Sequence, residues 1–304
     1  RLDTTRAVLP PAPSPAIGEL ATLGESLRRA GGAGARAALA LRLDRARESS
    51  AYRDDAERVA RRLPMVPEIA QALGAGVLEV FDEAELSGAG VGRWTGMTLK
   101  VAPRFSDQAI AAALVVAARA RGAPIAERPT AGLRCFEMLD GAVPRAFLVP
   151  ATGVLVAAER RSCAASDDWD GPAAPELPDG ELAMLSLSDA PVGGAPPTED
   201  LSLGGHPLPR TLTVVLQPTL EPTLDLVAEF AQDAGAQFWS TRWPALDAAA
   251  RAALLGWPRP SLPLVADAAV TRDGNKIRIQ ETMTREALAG SPLVAAAALD
   301  RAIP

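Results

Sequence analysis

The chain is poor in residues that do chemistry. Its 304 residues contain one histidine, His206, and two cysteines, Cys135 and Cys163. No Cys-x-x-Cys and no Cys/His cluster is present, which argues against a structural zinc site, since such sites draw on both residue types. Nucleophilic catalysis needs a Ser, Thr or Cys beside a base. There is no Gly-x-Ser-x-Gly, and His206 lies in Gly-Gly-His-Pro-Leu-Pro with no partnering motif, so it reads as a loop histidine. A membrane-spanning helix needs roughly 20 apolar residues. The longest candidate, 109–118, is too short, so no transmembrane segment is expected.

Lysine and aromatic residues are also scarce. Lys100 and Lys276 are the two lysines among 31 basic residues, and aromatics make up 4% of the chain. The arginine bias fits a GC-rich genome. A protein that grips phosphates usually shows a basic face, whereas this chain carries a formal net charge of −6. Arg28, Arg29, Arg36, Arg42, Arg45 and Arg47 do form a basic stretch, but Asp54, Asp55 and Glu57 follow, and the stretch reads as solvated surface. No nucleic-acid partner is expected.

What the chain does have is small apolar residues. It is 48% hydrophobic, mostly Ala, Leu and Val, and 22% charged, the balance of a globular protein rather than a disordered one. Residues 1–17 hold Pro10, Pro11, Pro13 and Pro15 and read as an extended arm, because proline fixes φ and lacks an amide donor. A short helix over 17–29 is stopped by Gly31, Gly32 and Gly34. Leu39, Leu41 and Leu43 alternate with polar or small residues, the period of a strand that Asp44 ends. Helices are expected from Ser49 or Ser50 to about Arg62 and then to Leu73, broken by Pro64 and Pro67. The apolar run 77–81 reads as a strand, 98–101 as another, and Ser106 as the cap of a helix that Gly122 stops. Strands follow near 133–138, 146–149 and 154–158, the last two as a hairpin about Gly153.

Residues 98–125 align without gaps on 211–238. Thr98-Leu99 matches Thr211-Leu212, Val101 matches Val214, and Gly122-Ala123 matches Gly235-Ala236, with Leu114 opposite Val227 and Ala117 opposite Phe230. Leu41-x-Leu43 likewise resembles Leu185-x-Leu187, and Asp273-Gly274 supplies a closing hairpin. The expectation is an α+β protein of two diverged repeats, each a mainly antiparallel sheet with helices on one face. Its parts are an arm and short helix over 1–35, a first repeat over 36–163, a linker rich in Asp, Pro, Gly and Ala over 164–180, and a second repeat over 181–304.

No motif rises to a catalytic or cofactor site. The glycine-rich stretch 87–92 leads through Arg93-Trp94-Thr95-Gly96 into a strand, whereas a dinucleotide loop must open a helix. Asp82, Glu83 and Glu85, and separately Asp167, Asp168 and Asp170, are carboxylate groups. The second set has part of a calcium-loop spacing, but Pro178 stands where the loop's glutamate belongs. Catalytic, metal and cofactor residues are therefore expected to be none. Because aromatics are so few, Trp239, Arg242 and Trp243, with Phe238 and Trp257, and more weakly Trp94, are the candidate partner contacts, set against an ordinary core.

The strand 41–44, the Pro-broken segment 63–73, the strand–helix pair 98–122 and the Asp-Gly hairpin 270–279 resemble a loose family of uncharacterised, Ala-rich envelope proteins and lipoproteins of GC-rich Gram-negative bacteria. The resemblance covers about half the chain, implies an exported protein, and supplies no functional residue. A start at Arg1 without Met fits a processed, periplasmic or envelope location. In that oxidising setting the expected state of Cys135 and Cys163 is a disulfide, with two buried free thiols as the other reading. The functional expectation is a non-catalytic accessory or scaffold subunit bound to other protein subunits, the proline-rich arm being one contact. The alternative is a ligand-binding protein or enzyme with a site in the cleft between the repeats.

Overall fold

The structure is a computed structural model and describes residues 16–30, 34–49, 52–90, 94–130, 133–140, 143–149, 153–159, 163, 181–192, 194, 202–203, 206–217, 223–243 and 268–282. The proline-rich arm, the linker 164–180, Trp257 and the Asp167 group lie outside the described residues.

In chain order the elements are α1 (Ile17–Ala30), β1 (Ala37–Arg42), α2 (Leu43–Glu48), α3 (Arg53–Ala60), α4 (Val66–Ala72), α5 (Val77–Val80), β2 (Phe81–Gly88), β3 (Trp94–Val101), α6 (Asp107–Ala120), β4 (Ile125–Thr130), β5 (Leu133–Asp140), β6 (Val143–Val149) and β7 (Val154–Glu159). The second part of the chain gives β8 (Ala183–Ser188), β9 (Ser202–Leu203), β10 (His206–Pro207), β11 (Thr211–Gln217), β12 (Thr223–Glu229), α7 (Asp233–Arg242), β13 (Ala269–Asp273) and β14 (Lys276–Thr282). The α+β class holds. Instead of two sheets there is one 12-stranded antiparallel sheet, in the order β13-β14-β12-β11-β8-β1-β2-β3-β7-β6-β5-β4, beside a two-stranded β9–β10 pair. The joint is β1 against β8, with Leu39 opposite Leu185.

From that joint outward the two arms of the sheet run in the same order. One reads β1-β2-β3-β7-β6 and the other β8-β11-β12-β14-β13. In each arm a helix follows the third strand, α6 after β3 and α7 after β12, and a hairpin then closes back onto that strand. The central strands read Ala-Ala-Leu-Ala-Leu from Ala37 and Ala-Met-Leu-Ser-Leu from Ala183. The first arm then continues beyond β6 into β5 and β4, whereas among the described residues the second stops at β13.

The equivalence expected between 98–122 and 211–235 is overturned. The first segment is strand then helix, but 223–229, aligned with the helix, is the strand β12. Its residues alternate in the two-residue period of a strand. Leu224, Leu226 and Ala228 join the core shared with α2–α7, while Val227 joins a separate core under α1. Hydrogen-bonded neighbours on both sides, β11 and β14, hold it extended. The expected strand over 77–81 is likewise corrected: Val77–Val80 is one helical turn, in which the Glu79 carboxylate accepts from the Gly76 amide at 3.2 Å. The strand begins at Phe81 and runs to Gly88.

Helices cover both faces of the sheet, not one. On the front, Ala37, Leu39, Leu185, Leu212, Val214 and Ile277 pack with residues of α2 to α7. On the back, Ala38, Ala40, Met184, Val215 and Val227 pack against Leu20 and Leu27 of α1. A helix this close to a sheet needs a residue with no side chain. A Cβ on Gly24 would lie 2.1 Å from Thr213 Oγ1 and 2.8 Å from Ser186 Oγ. Ser106 caps α6 as expected, accepting from the Ala109 amide at 3.2 Å. Gly274 turns the β13–β14 hairpin with φ +54°.

Candidate functional site

The tryptophans expected at a partner contact are interior. Trp239 and Trp94 are each 2% exposed and Trp243 is 8% exposed. Trp239 stacks on Trp243 with ring centroids 5.7 Å apart and meets Phe230 edge-on at 5.5 Å. Their polar edges are satisfied inside: Trp239 Nε1 donates to the Pro207 carbonyl at 2.7 Å, and Trp243 Nε1 to Glu281 Oε1 at 3.0 Å. Trp239 and Trp243 fill the core at α7 and Trp94 is buried on β3, so none of the three indoles is a surface contact in this fold. Arg242 alone of that group is exposed, over the Phe238 ring at 5.8 Å.

The acidic group on β2 separates by face and environment. Asp82 pairs with Arg47 at 3.3 Å, and Glu83 with Lys100 at 2.9 Å. Glu85 is buried, 6% exposed, and its Oε2 has no hydrogen-bond partner among the described residues. Burial pushes its carboxyl up to about 8. Glu181 is pushed up to about 7, by burial first and by the nearby charge of Asp225 second. Among the described residues no cluster of three or more His, Cys, Asp or Glu is placed to hold a metal. The glycine-rich stretch joins two antiparallel strands, β2 and β3. His206 lies in β10, opposite Leu203.

Cys135 of β5 and Cys163 form a disulfide, with Cα atoms 5.8 Å apart. The Cys163 amide donates to Glu137 Oε1 at 2.9 Å, which ties the same segment to β5 a second time.

A polar cavity of about 340 Å³ opens on the back of the sheet, where the C-terminal end of α1 meets the turn after β8. Its charged lining comes from Glu25, Arg28 and Arg29 of α1, Asp189 after β8, Arg210 before β11, Glu229 of β12 and Lys276 of β14. Leu20, Gly24, Leu27 and Arg28 form the buried stripe of α1 at helical spacing. Arg28 therefore points at the sheet and is 6% exposed, contrary to its expected place on a solvated surface. Its Nη1 donates to Ser186 Oγ and, at 3.4 Å, to the Leu187 carbonyl. Burial lowers the pKa of this guanidinium, while Glu25, Glu229 and Asp189 act to raise it. Arg210 Nε is buried without a hydrogen-bond partner among the described residues. Two lining pairs are closed, Arg29 with Glu25 at 2.5 Å and Lys276 with Glu229 at 3.8 Å. The Asp189 amide donates to the Arg210 carbonyl at 2.9 Å and the Ala190 amide to Ser188 Oγ at 3.3 Å; burial raises the pKa of the Asp189 carboxyl, against the opposing charge of Arg210. This cavity escaped the sequence reading, although one signal was present: an arginine on the apolar stripe of a helix.

No protein-family model matches the chain, and no curated protein matches it. Among solved structures the chain is similar to crystal form I of TP0453, at 12% identity and a TM-score of 0.44, over 90% of this chain and 97% of that one. A likeness at that level carries no functional weight. Among the described residues no helix is long and apolar enough to cross a membrane.

Proposed function

We propose that this chain is a non-catalytic protein of the cell envelope, an accessory or scaffold subunit that docks on a larger protein assembly by offering the β13 edge of its sheet. The observation that carries this reading is the unequal ending of two arms with the same strand order. The strand in the place of β13, β6, is covered by β5, whereas among the described residues β13 is the last strand of its arm, with Ala269, Thr271, Arg272 and Asp273 exposed. An open edge presents unpaired amides and carbonyls, to which an extended partner segment adds as a further strand. The opposite edge, β4, is blunted: Pro129 lacks an amide donor, and Glu127 and Arg128 are tied to Arg134 at 2.8 Å and Glu137 at 3.1 Å.

The envelope location is supported by the Cys135–Cys163 bond, since disulfides persist in oxidising compartments, and by the resemblance to Ala-rich envelope proteins. The repeated order of the two arms supports an ancient duplication, with β1 matched to β8, β3 to β12 and α6 to α7. Co-purification of the full-length protein from its native source tests the function. A stable protein partner recovered from the envelope fraction is expected. A cytosolic protein with no partner, or turnover of a substrate by the purified chain, contradicts the reading.

A further inference from the structure

We propose that the cavity at the C-terminal end of α1 binds a small oxyanion, a carboxylate or phosphate group, held between Arg28 and Arg210. This inference is independent of the docking role of β13. It rests first on charge. Of four cations and three anions in the lining, Arg29–Glu25 and Lys276–Glu229 pair off. That leaves two guanidiniums, Arg28 and Arg210, against the single carboxylate of Asp189, whose charge acts on both and balances one of them. No ion pair within 4.0 Å joins Asp189 to either arginine among the described residues.

It rests second on unspent donors. A guanidinium carries five N–H donors in a fixed fork. Arg28 is more than nine-tenths buried, yet its hydrogen bonds to Ser186 and Leu187 both use Nη1. Arg210 holds a buried Nε with no acceptor among the described residues. A buried donor without an acceptor, on a charged group, is costly. An oxyanion accepting from both forks satisfies those donors and neutralises the residual charge, which is the recognition mode that arginine serves best.

It rests third on shape. A volume of about 340 Å³ lies within the range of small-molecule sites. The walls are set by rigid elements: α1 is locked to the sheet at Gly24, and Arg210 lies beside β11, its amide bonded to the Glu229 carbonyl at 2.7 Å. The backbone that carries both arginines is thus fixed before any ligand arrives, and the Arg28 guanidinium is held by Ser186 and Leu187.

The test is calorimetric titration of the full chain with inorganic phosphate and, separately, with succinate, at constant ionic strength. Saturable binding of at least one probe is expected below about 10 mM. Heat from phosphate alone assigns a phosphate group, and heat from succinate alone a carboxylate; either outcome supports the site. Arg210→Gln, at a half-buried position, is expected to weaken binding by about tenfold or more while the protein stays folded. Arg28→Gln does the same if it folds. Arg119→Gln, at an exposed position on α6 outside the cavity, changes affinity by less than about twofold. Absence of saturable binding for both probes overturns the proposal, as does an equal loss in Arg119→Gln and Arg210→Gln, which marks surface screening instead of a site.

Discussion

The two arms of the sheet share an order, but their buried strand carboxylates, Asp225 on β12 and Glu85 on β2, sit in different settings. On the second arm Asp225 is 1% exposed, and Arg278 of the neighbouring strand grips it: Nε donates to Oδ1 at 2.8 Å and to Oδ2 at 3.1 Å, and Nη2 donates to Oδ2. On the first arm Glu85 is almost as deeply buried, and its Oε2 has no partner among the described residues. Asp225 is met by a cation, whereas Glu85 has none among the described residues and burial raises its pKa. Among the described residues the second arm thus holds an ion pair at Asp225 near a buried Glu181 with a raised pKa, and the first holds Glu85 with no such pair beside it.

Breaking the ion pair has the largest expected effect. Arg278→Met leaves Asp225 buried without its cation and is expected to cost about 3–5 kcal/mol. Denaturant unfolding of the variant at neutral pH measures it. A cost near zero would mean that water reaches Asp225 and that the contrast between the arms is unreal.

Glu85→Gln should act in the opposite direction. The folded-state pKa of Glu85, about 8, lies above the ordinary 4.5. The folded protein therefore binds more protons than the unfolded chain between those values. Stability from this group is intact below about pH 4.5 and is lost as pH rises toward 8. Gln keeps the shape without the charge, so the variant is expected to be more stable than wild type at pH 8, by on the order of 2 kcal/mol, and to lose part of the pH slope. Unfolding curves at pH 5 and pH 8 check this. Equal stability of the two proteins at both values would contradict the assignment.

Gly24→Ala sharpens the comparison at the smallest scale, because α1 covers only the back of the sheet near its joint and second arm. The added Cβ collides with Thr213 Oγ1, and a cost of about 1–3 kcal/mol is expected. Thr213→Ala in the same chain should recover part of it. No recovery would place the strain elsewhere.

Local signals were the legible part of this fold. Ser106 and Gly122 bracket α6, Asp273-Gly274 makes the β13–β14 turn, and the alternation at Leu39 and Leu41 gives β1, because each depends on chemistry within a few residues. The alignment of 98–125 with 211–238 does not match equivalent elements. Ala- and Val-rich helices and strands look alike in alignment, so β12 was matched to a helix. The single sheet depends on the β1–β8 pairing, which joins residues far apart in sequence and leaves no local mark. The tryptophans misled for a related reason: rarity in the sequence says nothing about exposure, and Trp239 and Trp243 fill the core at α7. The cavity is built by α1, β8, β11, β12 and β14 together, and Arg28 within the Leu20–Leu27 stripe was its one legible trace.

The central claim, that the second arm ends in a docking edge and the first does not, has a direct measurement. Along an edge strand, successive amides alternate between the neighbour and the open side. Single prolines at Thr271 and Arg272 therefore remove one outward amide and one bond to β14. Recovery of the native partner is measured for each variant alongside its thermal unfolding, with Arg128→Pro on the β4 edge as the comparison. The expected result is that a β13 variant with unchanged unfolding loses its partner while the folded β4 variant keeps it. Full partner recovery by the folded β13 variant, or loss only from β4, would contradict the account.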